Sequence, residues 1–245
     1  MQPPDQPWLA AITDALIRGT PVTPAAPVLA LVAAAALLLA GPAVLWRYFG
    51  VYITVVHELG HAFAALMTGQ RLRGIRIQRD QSGSTHTLAR GRLPAVWSGF
   101  WGYPAPAVLG AALVAAATAG WQRATLLVGA VVVLLSIIFV RNIFGALAVL
   151  VCASVAAGLF YFATDIVQGY VLLVLGATLE VGAVRAWLNL VSVHLRRGRQ
   201  LSSSDAFILQ QRTRIPAGLW LLLMGAVIGA CVWGAGGAAL AAASG

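Results

Sequence analysis

Residues 51–66 of this chain read VYITVVHELGHAFAAL, an apolar helical stretch interrupted at its centre by three ionisable residues. The stretch has nearly the length and character of a membrane-spanning helix. His57 and His61 are four residues apart, so both imidazoles project from one helix face, one turn apart. Ionisable side chains at membrane depth are costly and are usually retained for function. The stretch therefore predicts a transmembrane helix that carries a functional site.

The spacing of the two histidines lets both bind one zinc ion, and Glu58 lies beside them, within reach of a water molecule at the metal. Such a set predicts hydrolysis of a carbonyl compound, with Glu58 as the general base. The alternative is a buried His/Glu network that only holds helices together. Gly60 is expected to leave the helix face open to a neighbouring backbone.

The composition indicates a chain surrounded mostly by lipid. Of the 245 residues, 60% are hydrophobic and 9% are charged, against about 25% charged in a typical soluble domain. The formal net charge is +9, and the arginines that supply it cluster between apolar segments, where they meet anionic lipid head groups. We therefore expect the lipid bilayer, and no nucleic acid, as a partner.

Apolar segments predict an all-α polytopic membrane protein with about seven transmembrane helices. Residues 1–27 are expected to form a loose or interfacial segment, followed by one membrane domain over residues 28–240. The fourth and fifth spans are separated by two residues and should form a tight helical hairpin. The predicted spans are 28–46, 51–68, 97–119, 124–140, 143–163, 167–190 and 215–240.

Two arginine-rich loops, 69–96 and 191–214, orient the predicted helices in the cell membrane. With seven spans both loops lie on one side, which the positive-inside rule makes cytoplasmic. The N-terminus is then cytoplasmic and the C-terminus outside. Alternating residues from Gly74 to Leu88, with a turn at 80–83, predict a small cytoplasmic β-hairpin after the motif helix. The exposed edge of this hairpin could pair with an extended peptide, or the hairpin could be an ordinary polar one.

Zinc held by two histidines still needs a third protein ligand, and the candidates are few: Asp80, His86, Asp165, Glu180, His194 and Asp205. Asp165 falls in an outer turn, on the wrong side of the predicted membrane. Glu180 lies in the middle of the sixth span, where it could bind the metal or pair with Arg185. Asp205 lies in the second arginine-rich loop, where it could instead be a helix N-cap. Asp205 could reach the metal only if residues 200–212 fold back as a docked or re-entrant segment.

At this point the sequence resembles the site-2 protease family of intramembrane zinc metalloproteases, and most closely its compact, B-type-like bacterial branch. The resemblance implies that His57 and His61 are zinc ligands and Glu58 the base. The better-known members take a third ligand from a Leu-Asp-Gly or Asn-Pro-Asp-Gly motif, which this chain lacks. Its Ser-Asp-Ala match favours Asp205 over Glu180. The matching segments are TVVHELGHAFAALMTG at 54–69, DQSG at 80–83, GYPAP at 102–106, RNIFG at 141–145 and SDA at 204–206.

These observations predict an intramembrane zinc metalloprotease that hydrolyses peptide bonds in or near membrane-spanning substrates. Asn142 or Arg141 could steady the substrate carbonyl or its oxyanion, or the pair could be a polar interfacial turn. The competing classes are a metal-binding membrane regulator without catalysis on a protease-like fold, and a zinc transporter.

Overall fold

The computed structural model of the chain describes residues 12–88, 91–196 and 201–244. Helices dominate these residues, as predicted, and short 3-10 turns occupy Ile137–Phe139 and Leu201–Ser203. The strands are β1, Arg71–Ile77, and β2, Gly83–Leu88. The helices are α1, Ala26–Ala40; α2, Ala43–Met67; α3, Arg92–Phe100; α4, Pro104–Ala119; α5, Gln122–Ser136; α6, Ile143–Phe162; α7, Asp165–Leu195; α8, Asp205–Thr213; and α9, Ala217–Ser244.

The predicted count of seven spans is not confirmed. Among the described residues, five helices are long and apolar enough to cross a membrane: α2, α5 with its 3-10 continuation, α6, α7 and α9. The pair α3 and α4, bent by 57°, gives a sixth if it is one broken span. Helix α1 has 15 residues and so covers about 22 Å, short of a hydrocarbon core of about 30 Å.

Two breaks explain why the predicted spans 28–46 and 97–119 differ from the helices. Pro42 has no amide hydrogen to continue the helical hydrogen bonds, and its ring clashes with the carbonyl four residues earlier, so α1 ends at Ala40 and Pro42 becomes the N-cap of α2. In the other segment, Pro104 occupies the first turn of α4, where its missing amide hydrogen costs nothing. Because of the break at Pro42, helix α2 begins at Ala43, well before residue 51.

The core forms where α4 packs closely against α7. A β-carbon on Gly110 would lie 2.7 Å from the carbonyl oxygen of Gly176, and one on Gly176 would meet that of Gly110 at the same distance. Small residues at such crossings let two membrane helices approach backbone to backbone. Helix α2 packs on the same helix α7, with Ile53 against Gly182. The motif helix therefore lies on a rigid base.

The predicted β-hairpin is confirmed, and one of its edges is covered. Strands β1 and β2 pair antiparallel. The segment after α5 runs along the other side of β1, where Arg141 N donates to Ile75 O at 2.9 Å. The Asn142 amide accepts from Ile77 N at 3.2 Å and donates to Ile77 O at 2.7 Å. This pairing therefore covers the outer edge of β1 and leaves the outer edge of β2 open.

Two segments outside the predicted spans also pack against the helices. Ala206 and Leu209 of α8 are fully buried in a cluster with Trp220 and Met224 of α9. The described part of the segment 200–212 is therefore a docked helix, while residue 200 lies outside the described residues. Near the N-terminus, Val22 is buried and its amide donates to Ala117 O at 3.0 Å. This part of the predicted loose or interfacial segment 1–27 is packed against α4, and residues 1–11 lie outside the described part.

Candidate metal centre

Helix α2 and the first residue of α8 bring three possible metal ligands together. The Nε2 atoms of His57 and His61 are 3.1 Å apart. Asp205 Oδ2 lies 3.4 Å from His57 Nε2 and 3.2 Å from His61 Nε2. Among the described residues, these are the only His, Cys, Asp or Glu side chains that cluster in threes closely enough to hold one metal ion.

The spacing of these atoms fits a zinc ion. Tetrahedral zinc with bonds of about 2.0 Å places its ligand atoms about 3.3 Å apart. The three observed separations run from 3.1 to 3.4 Å. A set of two histidines and one carboxylate leaves a fourth position open, as catalytic zinc sites do.

A backbone carbonyl fixes which ring nitrogen of His61 carries a proton. His61 Nδ1 lies 2.7 Å from Ser98 O, and because a carbonyl only accepts, Nδ1 is the donor. In the neutral ring Nε2 is then the nitrogen that can bind a metal, the usual arrangement around metal-binding histidines. Helix α3 thus contributes to the centre through a backbone atom, which the sequence analysis did not anticipate.

Two glycines let the break between α3 and α4 approach the motif. A β-carbon on Gly102 would overlap His61 Nε2 and lie 2.7 Å from His57 Nε2. On α2, a β-carbon on Gly60 would overlap Ala105 and lie 2.6 Å from Trp101 O. The expected close backbone approach at Gly60 is therefore confirmed, whereas the sequence analysis reached Gly102 only as part of the resemblance.

Asp205 is free to reach the histidines because another residue caps its helix. Ser204 is the N-cap, and its Oγ accepts from Phe207 N at 3.3 Å and pairs with His194 Nε2 at 2.9 Å. The alternative of Asp205 as the N-cap is therefore wrong. Burial opposes the negative charge of Asp205, but His61 and His57, when they are protonated, outweigh that effect and hold the pKa of the Asp205 carboxyl below its usual range.

Glu58 is buried against the hairpin and is only 4% exposed. Its Oε2 accepts a hydrogen bond from Thr85 Oγ1 of β2 at 2.6 Å. Thr85 was not among the site residues predicted from the sequence. The hairpin that follows the motif was the only signal, and it did not indicate which residue would face the base.

A family model described as Peptidase M50B-like matches residues 28–235. The chain belongs to the Peptidase M50B-like family. This match confirms the resemblance to site-2 proteases and extends over the helices that carry the centre. No curated protein and no solved structure gives a significant match.

The other acidic candidates lie apart from this M50B-like centre. Glu180 is buried in α7 against Gly110 of α4, and its Oε1 has no hydrogen-bond partner among the described residues. It does not pair with Arg185, whose guanidinium donates to the Ala40 and Gly41 carbonyls at the end of α1. Asp165 Oδ1 instead lies 3.7 Å from Arg123 Nη1. Of the two expected third ligands, the structure brings only Asp205 to the histidines.

Arg141 and Asn142 are also away from the centre. Arg141 donates to Arg73 O at 3.2 Å and to Ile138 O at 2.7 Å. The side-chain amide of Asn142 is hydrogen-bonded to the backbone N and O of Ile77. Neither residue lines the cleft around the histidines. The expected substrate or oxyanion role is therefore not supported. The structure favours the alternative of a polar turn, which here extends the sheet.

The centre opens into a cleft of about 790 Å³. Strand β2 contributes Ser84, Thr85 and Thr87 to one wall. Helix α7 contributes Asn189 and Val193, both in the same lining. The cleft therefore joins the metal ligands, the buried glutamate and the open strand edge in one space.

Proposed function

We propose that this member of the Peptidase M50B-like family is an intramembrane zinc metalloendopeptidase acting in or near membrane-spanning segments of its substrates. The observation that carries the proposal is the convergence of His57 Nε2, His61 Nε2 and Asp205 Oδ2 beside the buried Glu58. The separations fit tetrahedral zinc with one open position. In the family to which the chain belongs, this chemistry serves peptide hydrolysis.

The roles of the side chains follow from their chemistry. His57, His61 and Asp205 would hold the ion, which when bound polarises water and lowers its pKa to about 7. Glu58 accepts a proton from the water whose oxygen attacks the scissile carbonyl carbon. Glu58 then returns the proton to the amide nitrogen as the C–N bond breaks, leaving a carboxylate and an amine. The reaction uses one water molecule per bond and no other reactant.

The open edge of β2 suggests how the substrate is presented. A helical substrate must unwind locally, because its own hydrogen bonds shield the carbonyl carbons. An extended peptide can add to a free strand edge through backbone hydrogen bonds. The edge of β1 is covered by Arg141 and Asn142, so β2, which lines the cleft, is the strand we expect the substrate to join.

Metal content tests the ligand set. Purified wild-type protein should carry one zinc ion per chain. His57→Ala should lose the ion because it removes a ligand atom, and Asp205→Asn should bind it more weakly because it removes the negative charge of the carboxylate. Glu180→Gln is the matched control: it also neutralises a buried carboxylate, but one outside the centre, and should keep its zinc. Full zinc occupancy in His57→Ala and Asp205→Asn would contradict the proposed centre.

A proteolysis assay distinguishes the proposed enzyme from the two competing classes, a non-catalytic metal-binding regulator and a zinc transporter. Membranes from cells that express wild type should contain new N-termini, mapped by chemical labelling and mass spectrometry, within or beside membrane-spanning segments. Glu58→Gln should keep zinc and lose these termini, since loss of a general base typically costs at least about 100-fold in rate. Identical termini in both samples would favour a non-catalytic regulator. Zinc uptake into vesicles that survives in Glu58→Gln would favour a transporter.

A further inference from the structure

Two residues of β2 contact the carboxylate of Glu58 from the same side. Side chains two apart on a strand point to one face, and Gly83 and Thr85 are so placed. Thr85 Oγ1 lies 2.6 Å from Glu58 Oε2 and 3.1 Å from Glu58 O. A β-carbon on Gly83 would overlap Glu58 Oε1 and lie 2.7 Å from Glu58 Cδ. The carboxylate therefore rests across this face of the strand.

We propose that Thr85 and Gly83 are positioning residues for Glu58, so that the strand expected to bind the substrate also orients the general base. The inference rests on the proposed function, because it assigns Glu58 the role of base. It adds a residue pair that lies outside the metal-binding motif and acts through the carboxylate of Glu58 rather than on the metal ligands.

The hydroxyl of Thr85 is suited to this task. A glutamate side chain has three rotatable bonds, and burial alone does not select one orientation of its carboxylate. Thr85 has one hydroxyl proton, and both of its recorded partners, Oε2 and the Glu58 carbonyl, are acceptors. At 2.6 Å the bond to Oε2 has the length of a charge-assisted hydrogen bond, about twice as strong as a neutral one. Among the described residues, no other side chain donates to this carboxylate.

Gly83 sets the distance between strand and base. The absence of a side chain lets Glu58 Oε1 lie directly over its backbone. An added methyl group would have to displace the carboxylate or the strand, because both cannot occupy that volume. Thr85 thus fixes the orientation of the carboxylate and Gly83 fixes how closely it approaches.

A second contact holds the hairpin on the motif helix. Thr54 Oγ1 donates to the carbonyl of Gln81, in the hairpin turn, at 2.9 Å. A β-carbon on Gly50 would lie 2.7 Å from Gln81 Cδ, so this glycine makes room for the turn. Thr54 and Glu58 are four residues apart, or about 6 Å along the helix. With two attachments one turn apart, β2 cannot tilt on α2 without disturbing Glu58.

The test compares single-residue variants of the full-length, zinc-loaded protein with labelled casein as the substrate, an unfolded polypeptide that needs no helix unwinding. Thr85→Val removes the hydroxyl at nearly constant shape. It should keep zinc, leave KM within about twofold of wild type and lower kcat by about tenfold to 100-fold, a part of the factor that general base catalysis contributes. Thr85→Ser should restore most of kcat, because it returns the hydroxyl.

Thr125→Val is the matched control, since the Thr125 hydroxyl donates to Trp121 O within α5 at 2.8 Å, away from the cleft. It should leave kcat, KM and zinc unchanged. Gly83→Ala provides a second, independent variant, and should also lower kcat with zinc retained. Zinc content and the thermal unfolding midpoint identify any variant that fails to fold.

The outcomes separate this inference from the proposed function. A kcat of wild-type size in Thr85→Val and Gly83→Ala, with Glu58→Gln inactive, would overturn the inference and leave the protease intact. So would a raised KM with unchanged kcat, because the strand would then serve substrate binding alone. Equal inactivity of zinc-loaded wild type and Glu58→Gln would overturn the proposed function itself.

Discussion

Gly102 stands where the break between α3 and α4 passes the metal ligands. Its missing side chain leaves the space that the Nε2 atoms of His57 and His61 face, and this space is where an ion and a substrate carbonyl would have to fit. On the far side of the ring, Ser98 O holds His61 Nδ1 at 2.7 Å. His61 is therefore oriented by a backbone atom of α3 as well as by its position on α2.

Gly102→Ala should weaken zinc binding without unfolding the protein. The new methyl group would overlap His61 Nε2, and disturbing the surroundings of metal ligands typically costs about tenfold to 100-fold in affinity. Competition with a fluorescent zinc chelator measures the change. Gly229→Ala in α9 is the control, because a β-carbon there meets nothing within 4 Å. Equal zinc affinities in the two variants would contradict the packing described for Gly102.

At the scale of elements, α8 is the piece that completes the metal centre. It has nine residues, and isolated helices of that length are marginal in water. Two features stabilise it: the Ser204 cap with its His194 partner and the burial of Ala206 and Leu209. Because Asp205 follows the cap directly, the position of its carboxylate depends on how well this first turn is formed.

Ser204→Ala should therefore weaken zinc binding from a distance. Loss of a serine N-cap costs about 1 kcal/mol, which corresponds to about a fivefold loss of affinity if the whole cost falls on the ordered, metal-binding form of α8. Ser204→Thr should retain most of the affinity, because it keeps the capping oxygen. Ser202→Ala, at an exposed position of the preceding 3-10 turn, should have no effect. An unchanged affinity in Ser204→Ala would show that burial alone holds α8.

For the whole molecule, the metal centre constrains how the chain crosses the membrane. His61 precedes the loop 69–96 and Asp205 lies in the loop 191–214, yet the two side chains meet. If both side chains reach the centre from the same side of the membrane, the two loops lie on that side and an even number of crossings separates them. Helices α5, α6 and α7 supply three, so the bent pair of α3 and α4 should act as the fourth. This count supports treating the pair as one broken span.

Reporter fusions should accordingly place the loops 69–96 and 191–214 together in the cytoplasm, where the positive-inside rule puts their arginines, and the C-terminus outside. A cytoplasmic N-terminus, as predicted, additionally requires the short α1 to complete a crossing, and a fusion at that end tests it. Loops reporting opposite sides would contradict both the crossing count and the contact between His61 and Asp205.

Many structural features of this protein can be predicted from its local sequence alone. The membrane class rests on composition, and the two histidines and the base rest on spacing within two turns of one helix, where geometry hardly varies. The hairpin was likewise predictable from alternation and a turn. The break at Pro42 had a local cause as well, although the apolar run across it favoured a longer span.

The third ligand could not be decided in that way. Glu180 and Asp205 were both acceptable on sequence, and only the packing of α8 against α3 and α9 brings one of them to the histidines. The same holds for Thr85 at the base and for Gly102 at the ligands. Distances within a helix depend on its fixed rise and twist, whereas distances between elements depend on crossing angles and on every side chain packed between them. The local pattern therefore specified the chemistry, and the tertiary packing specified which residues complete it.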